Sequence, residues 1–329
     1  MSTIGCWSAQ ANTDWIQQRR PGATVTSITP SGDFLADYHT ACKLLGIAPH
    51  PKIVVRKIAN KSDDYILQVF GFSFDLGTAT AVSLCLPSSI RLTTLQFWNA
   101  GLTEDVVHLL GAILKRVPTI HSLHLDWNPI PSNPKVFADL VGPESPLKLL
   151  SLRGNRLTDS DLRPILDAIA EGGHLAVLSL SSNKITAESC TALFELLRAD
   201  RTLLSLSLSH NIIGDDGLSA LMAAMKSFPL NATEAKTKKF QPRGKQASGQ
   251  VICTGNNVLR NLVCSFTGVT GKGVSDAATV LTENTSLSRL SLTNNNRVPQ
   301  SVLLQYQSQS RIVLDPPRQE LIEEPIEDV

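Results

Sequence analysis

The strongest constraint on the fold of this chain is a leucine pattern that recurs every 27 or 28 residues. Four closely matching strings, LHLDWNPI, LSLRGNRL, LSLSSNKI and LSLSHNII, start at Leu123, Leu150, Leu178 and Leu206. An apolar residue three positions before each start completes the pattern LxxLxLxxNxL. The period leaves room for one strand and one helix per unit. Neither element can bury its apolar face alone, so successive units are expected to stack around one shared core.

Weaker copies of the pattern extend the array in both directions. They are LTTLQFWNAGL, LRNLVCSFTGV and LSRLSLTNNNRV, which start at Leu92, Leu259 and Leu287. A further step back reaches Leu67 in YILQVFGFSF, which lacks the asparagine and is typical of a capping repeat. The repeats predict an α/β leucine-rich-repeat solenoid, a right-handed horseshoe with parallel strands on its concave face and helices on its convex face.

The segments between the strands have helical patterns. Helices are expected to start near Thr103, Thr158, Thr186 and Gly214, where capping residues precede apolar positions at helical spacing. The segment PSNPKVFADLVGPESP has two early prolines and room for only a short helical piece. The recurring asparagines are expected to be structural, because an amide can satisfy backbone groups at the turn after each strand. These are Asn128, Asn155, Asn183, Asn211 and Asn295.

The period is interrupted once, between the asparagine slot at Asn211 and its equivalent at Thr267, which are 56 residues apart. Residues 230–257 offer no strand of the repeat pattern, so we predict an inserted loop that is mobile and locally basic. Two interpretations stay open, a solvated linker or an electrostatic contact for an acidic partner such as a tubulin tail or nucleic acid. The basic residues of the loop are Lys236, Lys238, Lys239, Arg243 and Lys245.

The rest of the chain divides around this array. Residues 1–63 are predicted to form an N-terminal extension with a capping helix near 31–46, which covers the open end of the core. Residues 64–300 form the solenoid itself. Residues 301–329 are a C-terminal segment with an acidic, proline-containing tail, which is either solvated or a docking strap.

The composition limits the partners and the compartment. With a formal net charge of +1, the chain has no overall field that attracts nucleic acid or anionic membranes, so neither is expected as a partner. No stretch approaches the roughly 18 to 20 apolar residues of a membrane span, and residues 1–10 lack the pattern of a signal peptide. These features predict an intracellular protein. The six cysteines are scattered without a CxxC pair, which favours reduced core thiols over zinc.

Motifs that carry chemistry are not found. The string GVTGKGVSD lacks the first glycine of a phosphate-binding loop, none of the seven histidines stands in HExxH, and no serine stands in GxSxG. We therefore predict a protein that is not an enzyme, with no cofactor, no metal ligands and no small-molecule substrate.

Side chains between the leucines of each strand should point from the concave face, and their sizes change along the array. The middle repeats carry small neutral residues, whereas the N-terminal end carries Trp98, His124, Asp126, Trp127 and Arg153. Tryptophan is enriched in interface hot spots, so this end is the candidate partner-binding site. The alternative is structural, with the indoles covering the turns or packing under the N-terminal segment.

One position in the concave columns is ambiguous. In the repeat that starts at Leu259, the exposed column holds Cys264 if the strand slips by one residue and Val263 if the repeat keeps its register.

Several strings also resemble a known family. The strings SLSLSHNIIGDDGLSALMAAMKSFPLNATEAKTKKFQ, LQFWNAGLTEDVV and DFLADYHTACKLLGIAP are similar to ribonuclease-inhibitor-type leucine-rich-repeat proteins of cilia and flagella. The resemblance implies a non-enzymatic scaffold of the axoneme, a part of the cytoskeleton, with axonemal subunits or microtubule-associated proteins as partners. Two other functions use the same repeat type. One is a GTPase regulator of the Ran GTPase-activating kind, and the other is a substrate-receptor or inhibitor module.

Overall fold

The computed structural model describes residues 28–59, 63–130, 132–230, 234, 240, 242–245 and 251–316. Its strands are β1 (Val54–Lys57), β2 (Tyr65–Phe70), β3 (Leu92–Trp98), β4 (Ser122–His124), β5 (Leu149–Ser151), β6 (Val177–Ser179), β7 (Ser205–Ser207), β8 (Phe228–Pro229), β9 (Pro242–Lys245), β10 (Val251–Cys253), β11 (Asn261–Val263), β12 (Arg289–Ser291) and β13 (Ile312–Val313). Ten of them form one sheet in the order β1-β2-β3-β4-β5-β6-β7-β11-β12-β13. The chain therefore adds one strand after another along a single sheet.

One helix precedes the first strand, and the others each follow a strand of the main sheet. They are α1 (Phe34–Leu45), α2 (Leu76–Cys85), α3 (Glu104–Leu114), α4 (Asp159–Ala170), α5 (Ala187–Ala199), α6 (Gly214–Ala223), α7 (Gly271–Glu283) and α8 (Gln300–Tyr306). The predicted short piece in the proline-rich repeat is a 3-10 helix over Pro134–Leu140. Thr103, Thr158 and Thr186 are the N-caps of α3, α4 and α5, as their sequence context predicts.

The repeating leucines lie side by side across the sheet. Leu123, Leu150, Leu178 and Leu206 are register partners on neighbouring parallel strands, and all four are fully buried. Burial of a leucine side chain contributes roughly 1.5–3 kcal/mol to stability. Because the strands are only three residues long, this shared core is a major source of the stability of the stack. The predicted α/β solenoid is confirmed.

The asparagines join neighbouring repeats, as predicted. Asn183 Oδ1 accepts a hydrogen bond from Leu157 N–H at 3.0 Å, and its Nδ2 donates to Leu152 O at 3.0 Å and to Leu180 O at 2.8 Å. The equivalent side chains make the same kinds of contact, and all five asparagines are buried. Each amide thus satisfies backbone groups that burial would otherwise leave unpaired.

The asparagines form a ladder of contacts along the strands. A second ladder of contacts between repeats, on the helix side, was not predicted. Asp159, in the first turn of α4, accepts hydrogen bonds from the N–H and hydroxyl groups of both Thr186 and Ser189 in the next repeat. Asp215 makes the corresponding contacts with Thr270 N–H at 2.7 Å and Thr270 Oγ1 at 2.6 Å. These carboxylates stabilise the spacing between helices in the way that the asparagines stabilise the spacing between strands.

The sheet extends beyond residues 64–300, the range predicted for the solenoid. At its start β1 pairs antiparallel with β2, and at its end β13 pairs parallel with β12. Helix α1, within the range predicted for a capping helix, ends at Gly46 in a left-handed conformation (φ 65°) and packs against α2. Its Tyr38 and Cys42 are buried in the common core. The N-terminal end of the core is therefore covered by a helix and a hairpin.

The inserted segment differs from the expected loop. Its backbone includes β9 and β10, which form a separate antiparallel sheet with β8 in the order β8-β10-β9. These strands lack the leucine pattern, and they pair with each other and not with the main sheet. Meanwhile β7 pairs directly with β11, with Leu206 opposite Leu262. The insertion therefore leaves the main sheet uninterrupted.

Arg198 fastens this segment to helix α5. Its guanidinium lies 3.9 Å from the ring centroid of Phe228 and also faces Phe240, and its Nη1 is 2.9 Å from Glu234 Oε1. The two charged side chains are only 15% and 20% exposed, so the ion pair is shielded from solvent. The contact holds the start of the insertion against the solenoid.

Candidate protein-interaction surface

The face of the sheet opposite the helices is called the strand face here. Residues alternate along each strand, so Leu95 and Phe97 are fully buried in the core while Gln96 and Trp98 point from the strand face. The same alternation in every repeat produces columns of side chains that run across the sheet. The size and charge of those side chains decide what the face can bind.

The middle and C-terminal parts of the strand face are lined by small hydroxyl side chains that bond to each other. Ser181 Oγ and Ser207 Oγ are 2.8 Å apart, and Ser265 Oγ lies 2.7 Å from Thr293 Oγ1. These hydroxyl groups are already hydrogen-bonded, and the side chains have little apolar area to bury. This stretch therefore offers another protein little binding energy.

The repeat of β11 keeps its strict register. Val263 is paired with Ser207 on one side and with Ser291 on the other, so it occupies the outward-facing column. Cys264 is fully buried in the core. The slipped frame, which placed Cys264 on the strand face, is therefore wrong, because it would move Leu262 out of the core.

The N-terminal end of the strand face carries aromatic rings. Trp98 and Trp127 are 44% and 41% exposed, and Phe70, which pairs with Trp98 on the adjacent strand, is 45% exposed. We call Phe70, Trp98 and Trp127 the aromatic end. The structure thus brings the two predicted tryptophans to the same end and adds a ring that the sequence interpretation missed. A usable signal was present, since Phe70 stands 28 positions before Trp98.

The predicted polar residues lie beside the aromatic end. Asp126 Oδ1 accepts hydrogen bonds from Ser151 Oγ at 2.5 Å and from Arg153 N–H at 3.2 Å, while the Arg153 side chain is exposed. His124 Nε2 is 3.3 Å from Ser122 Oγ. Burial lowers the pKa of His124, and the Asp126 carboxylate opposes that shift only in part. At neutral pH His124 is therefore uncharged.

Trp127 also has a structural contact. Its φ is 60°, and its indole lies on the turn of the next repeat, where Gly154 has no side chain to obstruct it. Trp127 thus covers a turn, as the structural alternative proposed, and still leaves 41% of its surface exposed. Both roles are compatible, because an indole that packs on one face can offer the other to a partner.

A second candidate contact was predicted at the basic residues of the insertion. Lys236, Lys238 and Lys239 lie outside the described residues, and Arg243 and Lys245 are described only by their place in β9. Their proposed electrostatic contact stays a prediction.

The described part of the chain was also searched for reactive thiols and for groups that could bind a metal ion. The five cysteines described there are buried and free of disulfides, and burial raises the pKa of Cys85 and of Cys190 to about 12. Such thiols stay protonated at neutral pH and are poor nucleophiles. The described residues include no group of three or more His, Cys, Asp or Glu side chains placed to hold a metal ion. Among the helices described, none has the length and apolar content that a bilayer crossing requires.

Together the stacked strands, the buried leucines and the asparagine ladder define the fold as a leucine-rich-repeat solenoid. The Leucine Rich repeat family matches residues 174–194 and 199–222, which include β6, most of α5, and β7. A similar solved structure is that of the leucine-rich repeat-containing protein LegL7 from Legionella pneumophila. It is 17% identical, with 76% of this chain and 73% of that chain covered and a TM-score of 0.46.

Proposed function

We propose that this protein is a non-enzymatic scaffold that binds another protein at the aromatic end of its strand face. The observation that carries the proposal is the pairing of Phe70 with Trp98 on adjacent strands, each more than two-fifths exposed. Large rings that face solvent from a rigid sheet are typical of binding hot spots, because they lose much apolar surface to a partner and little conformational entropy.

The contrast along the same face supports this location. Beyond Arg153 the columns consist mainly of serines, several of which bond to neighbouring hydroxyl groups, so the gain from burying apolar surface is concentrated at one end. The neighbouring Asp126 and Arg153 supply polar groups at its border, which is the usual arrangement of an apolar centre with a polar rim. The partner is expected to meet a preformed surface, since the strands are fixed by the core beneath them.

A finer proposal concerns the setting. Resemblance to leucine-rich repeat-containing protein 71 supports a role in the axoneme of motile cilia or flagella, with other axonemal proteins as partners. Localisation of a tagged chain in ciliated cells before and after detergent extraction tests this setting. Retention on the extracted axoneme supports it, and complete release into the soluble fraction contradicts it.

The binding surface is tested separately with the full chain. Phe70→Ala with Trp98→Ala should reduce partner binding about tenfold or more, as expected for hot-spot rings. The matched control is Ile90→Ala with Leu304→Ala, which removes exposed apolar side chains elsewhere (74% and 55% exposed). The partner is a protein that binds the immobilised wild type and the immobilised control variant but does not bind the immobilised aromatic variant.

Circular dichroism and thermal unfolding of both variants decide whether the loss is local. Equal retention of the same proteins by the aromatic variant would contradict the proposal. So would faster GTP hydrolysis by a purified GTPase in the presence of the chain, because a scaffold does not alter that rate.

A further inference from the structure

A second surface follows the turns at the carboxyl ends of the strands from the repeat of Arg156 onward, beyond the aromatic end. The residue just before each asparagine slot is left-handed here, and among these residues are Ser182 (φ 58°), His210 (φ 57°) and Phe266 (φ 56°). This conformation turns the chain sharply. The next residue, which is the asparagine or its equivalent, is buried, and the residue after it is exposed at the edge of the sheet. The edge therefore presents one outward position per repeat.

The outward positions are in line from repeat to repeat. Lys184 N–H donates to Leu157 O at 2.8 Å, and Ile212 N–H donates to Ile185 O at 2.8 Å. These bonds place Arg156, Lys184 and Ile212 in one row, each residue 28 positions after the last. All three side chains are exposed, and Ile212 is 75% exposed.

In the next repeat the row position is Gly268, and an aromatic pair joins the turns of the last two repeats of the row. Phe266 lies on the ring of His210 with the centroids 4.2 Å apart and the planes 15° apart, and it remains 44% exposed. We call Arg156, Lys184, Ile212 and Phe266 the turn-edge surface. It has a cationic half, followed by an apolar half.

The cations of this surface have no acidic partner in the described residues. Neither Arg156 nor Lys184 takes part in an ion pair there. The carboxylates that follow Arg156 in sequence are engaged elsewhere, because Asp159 accepts from Thr186 and Ser189, and Asp161 Oδ2 accepts from Thr158 N–H at 2.9 Å. Two adjacent, uncompensated cations favour a negatively charged ligand.

We propose that the turn-edge surface binds an extended acidic segment of a partner protein. Three strand spacings separate the repeat of Arg156 from that of Phe266, about 15 Å at the usual distance between strands. An extended chain of about four or five residues covers that length. The occupant thus carries two neighbouring carboxylates opposite Arg156 and Lys184, and adjacent apolar side chains against Ile212 and Phe266. This goes beyond the proposed function, because none of these residues belongs to the aromatic end.

A peptide of the required chemistry tests the proposal. The probe is a dye-labelled peptide RQELIEEPIEDV, the sequence of residues 318–329, in which two apolar residues precede two glutamates. Its control has glutamine in place of both central glutamates. Fluorescence anisotropy with the full chain, and with a chain ending at Pro316, measures binding. The acidic peptide should bind about tenfold more tightly than the control peptide, and added salt should reduce the difference.

Charge-reversal variants locate the site. Arg156→Glu with Lys184→Glu should weaken binding of the acidic peptide by about tenfold or more, whereas Lys148→Glu with Lys272→Glu, which changes net charge equally, should weaken it less than about twofold. Ile212→Ser should weaken binding of both peptides about threefold through the apolar half. Circular dichroism of each variant establishes that it is folded.

Three results would overturn the proposal. Equal binding of the acidic and control peptides would exclude the carboxylate contacts. An equal loss in both double variants would show general charge attraction without a site. Tight binding only after truncation at Pro316 would assign the surface to the chain's own acidic residues and exclude a partner as occupant. Because the aromatic end is intact in all these variants, failure here leaves the proposed function standing.

Discussion

The indole of Trp127 lies so close to Gly154 that a Cβ atom added at Gly154 would stand 2.4 Å from Trp127 Cδ2. Gly154 also has φ 73°, a left-handed conformation that side chains other than glycine adopt with strain. Two independent constraints therefore meet at one position. They can be separated by experiment, because another repeat has the same backbone conformation without the ring.

Gly154→Ala is expected to destabilise the fold by roughly 2–4 kcal/mol, since it adds steric overlap with Trp127 to the backbone strain. The matched variant is Gly268→Ala, where φ is 79° and nothing lies within 4 Å of the added Cβ. It should cost about 1 kcal/mol. Urea denaturation of both measures the difference. Adding Trp127→Ser to Gly154→Ala should recover most of it, and an equal loss in both glycine variants would refute the overlap.

The contribution of the asparagine ladder to stability can be tested at Asn183. Asn183→Ala removes the acceptor for Leu157 N–H and the donor to Leu152 O and Leu180 O, all at buried positions. Each buried backbone group left unpaired costs roughly 1–3 kcal/mol, so the free energy of unfolding should fall by at least about 2 kcal/mol.

The natural threonine at the equivalent slot supplies the control. Thr267 Oγ1 donates to Cys264 O at 2.7 Å, which reproduces the bond within the repeat. Asn183→Thr should therefore lose only the bonds between repeats and be milder than Asn183→Ala by about 1 kcal/mol. Equal unfolding free energies for the two variants would show that the bond within the repeat contributes nothing.

Stability at acidic pH should depend on Asp159. Burial acts to raise the pKa of this carboxyl, but hydrogen bonds from Ser189 and Thr186 outweigh it, so the folded-state pKa is lowered from the ordinary 3.8. The carboxylate thus stabilises the fold at neutral pH. As pH falls through 3.8 toward the lower folded-state value, protonation removes that stabilisation.

Asp159→Asn keeps one acceptor oxygen and removes the charge. The variant should be less stable than wild type at pH 7, with the gap narrowing as the pH falls below about 4, where the wild type loses its charged hydrogen bonds. Thermal unfolding at several pH values measures the gap. A gap that stays constant from neutral to acidic pH would contradict an ionised Asp159 as its source.

The contacts that hold the insertion against helix α5 can be tested by substitution of Arg198. Arg198→Gln removes both the contact with Phe228 and the ion pair with Glu234. We expect faster cleavage of the insertion by trypsin, while the unfolding temperature of the solenoid changes little, because the main sheet does not depend on this contact. Arg198→Lys keeps the charge but loses the planar stack, and it should give an intermediate rate. Unchanged cleavage in both variants would show that other contacts hold the segment.

The solenoid could be predicted because its determinants are local and repeated. Leu123 and its equivalents are set by a period of 27 or 28, and the same residues that define the pattern form the register of the sheet. The strands outside the repeats could not be found in this way. Strand β1 pairs antiparallel with β2, and β9 pairs with β10 in the insertion, so neither follows the period. Their strands depend on partners, not on a repeated sequence.

The candidate surfaces were predictable only in part. The alternation of the repeat identified Trp98 as an outward residue, with Trp127 one place past the outward column, and the structure places both at exposed positions. Phe70 was missed because its repeat matches the leucine pattern only weakly and was interpreted as a cap. Arg156 and Lys184 were missed because they follow the asparagine slot, and only the left-handed turn shows that they face outward in one row.

The direct pairing of β7 with β11 has a consequence for how this chain can change. Leu206 and Leu262 remain neighbours although 56 residues separate them, which is twice the repeat period. Lengthening or shortening the intervening stretch alters loop-closure entropy only slowly, by about 0.6 kcal/mol per doubling. The site between these two strands is thus a position where new binding segments can be acquired or lost while every other repeat keeps its place.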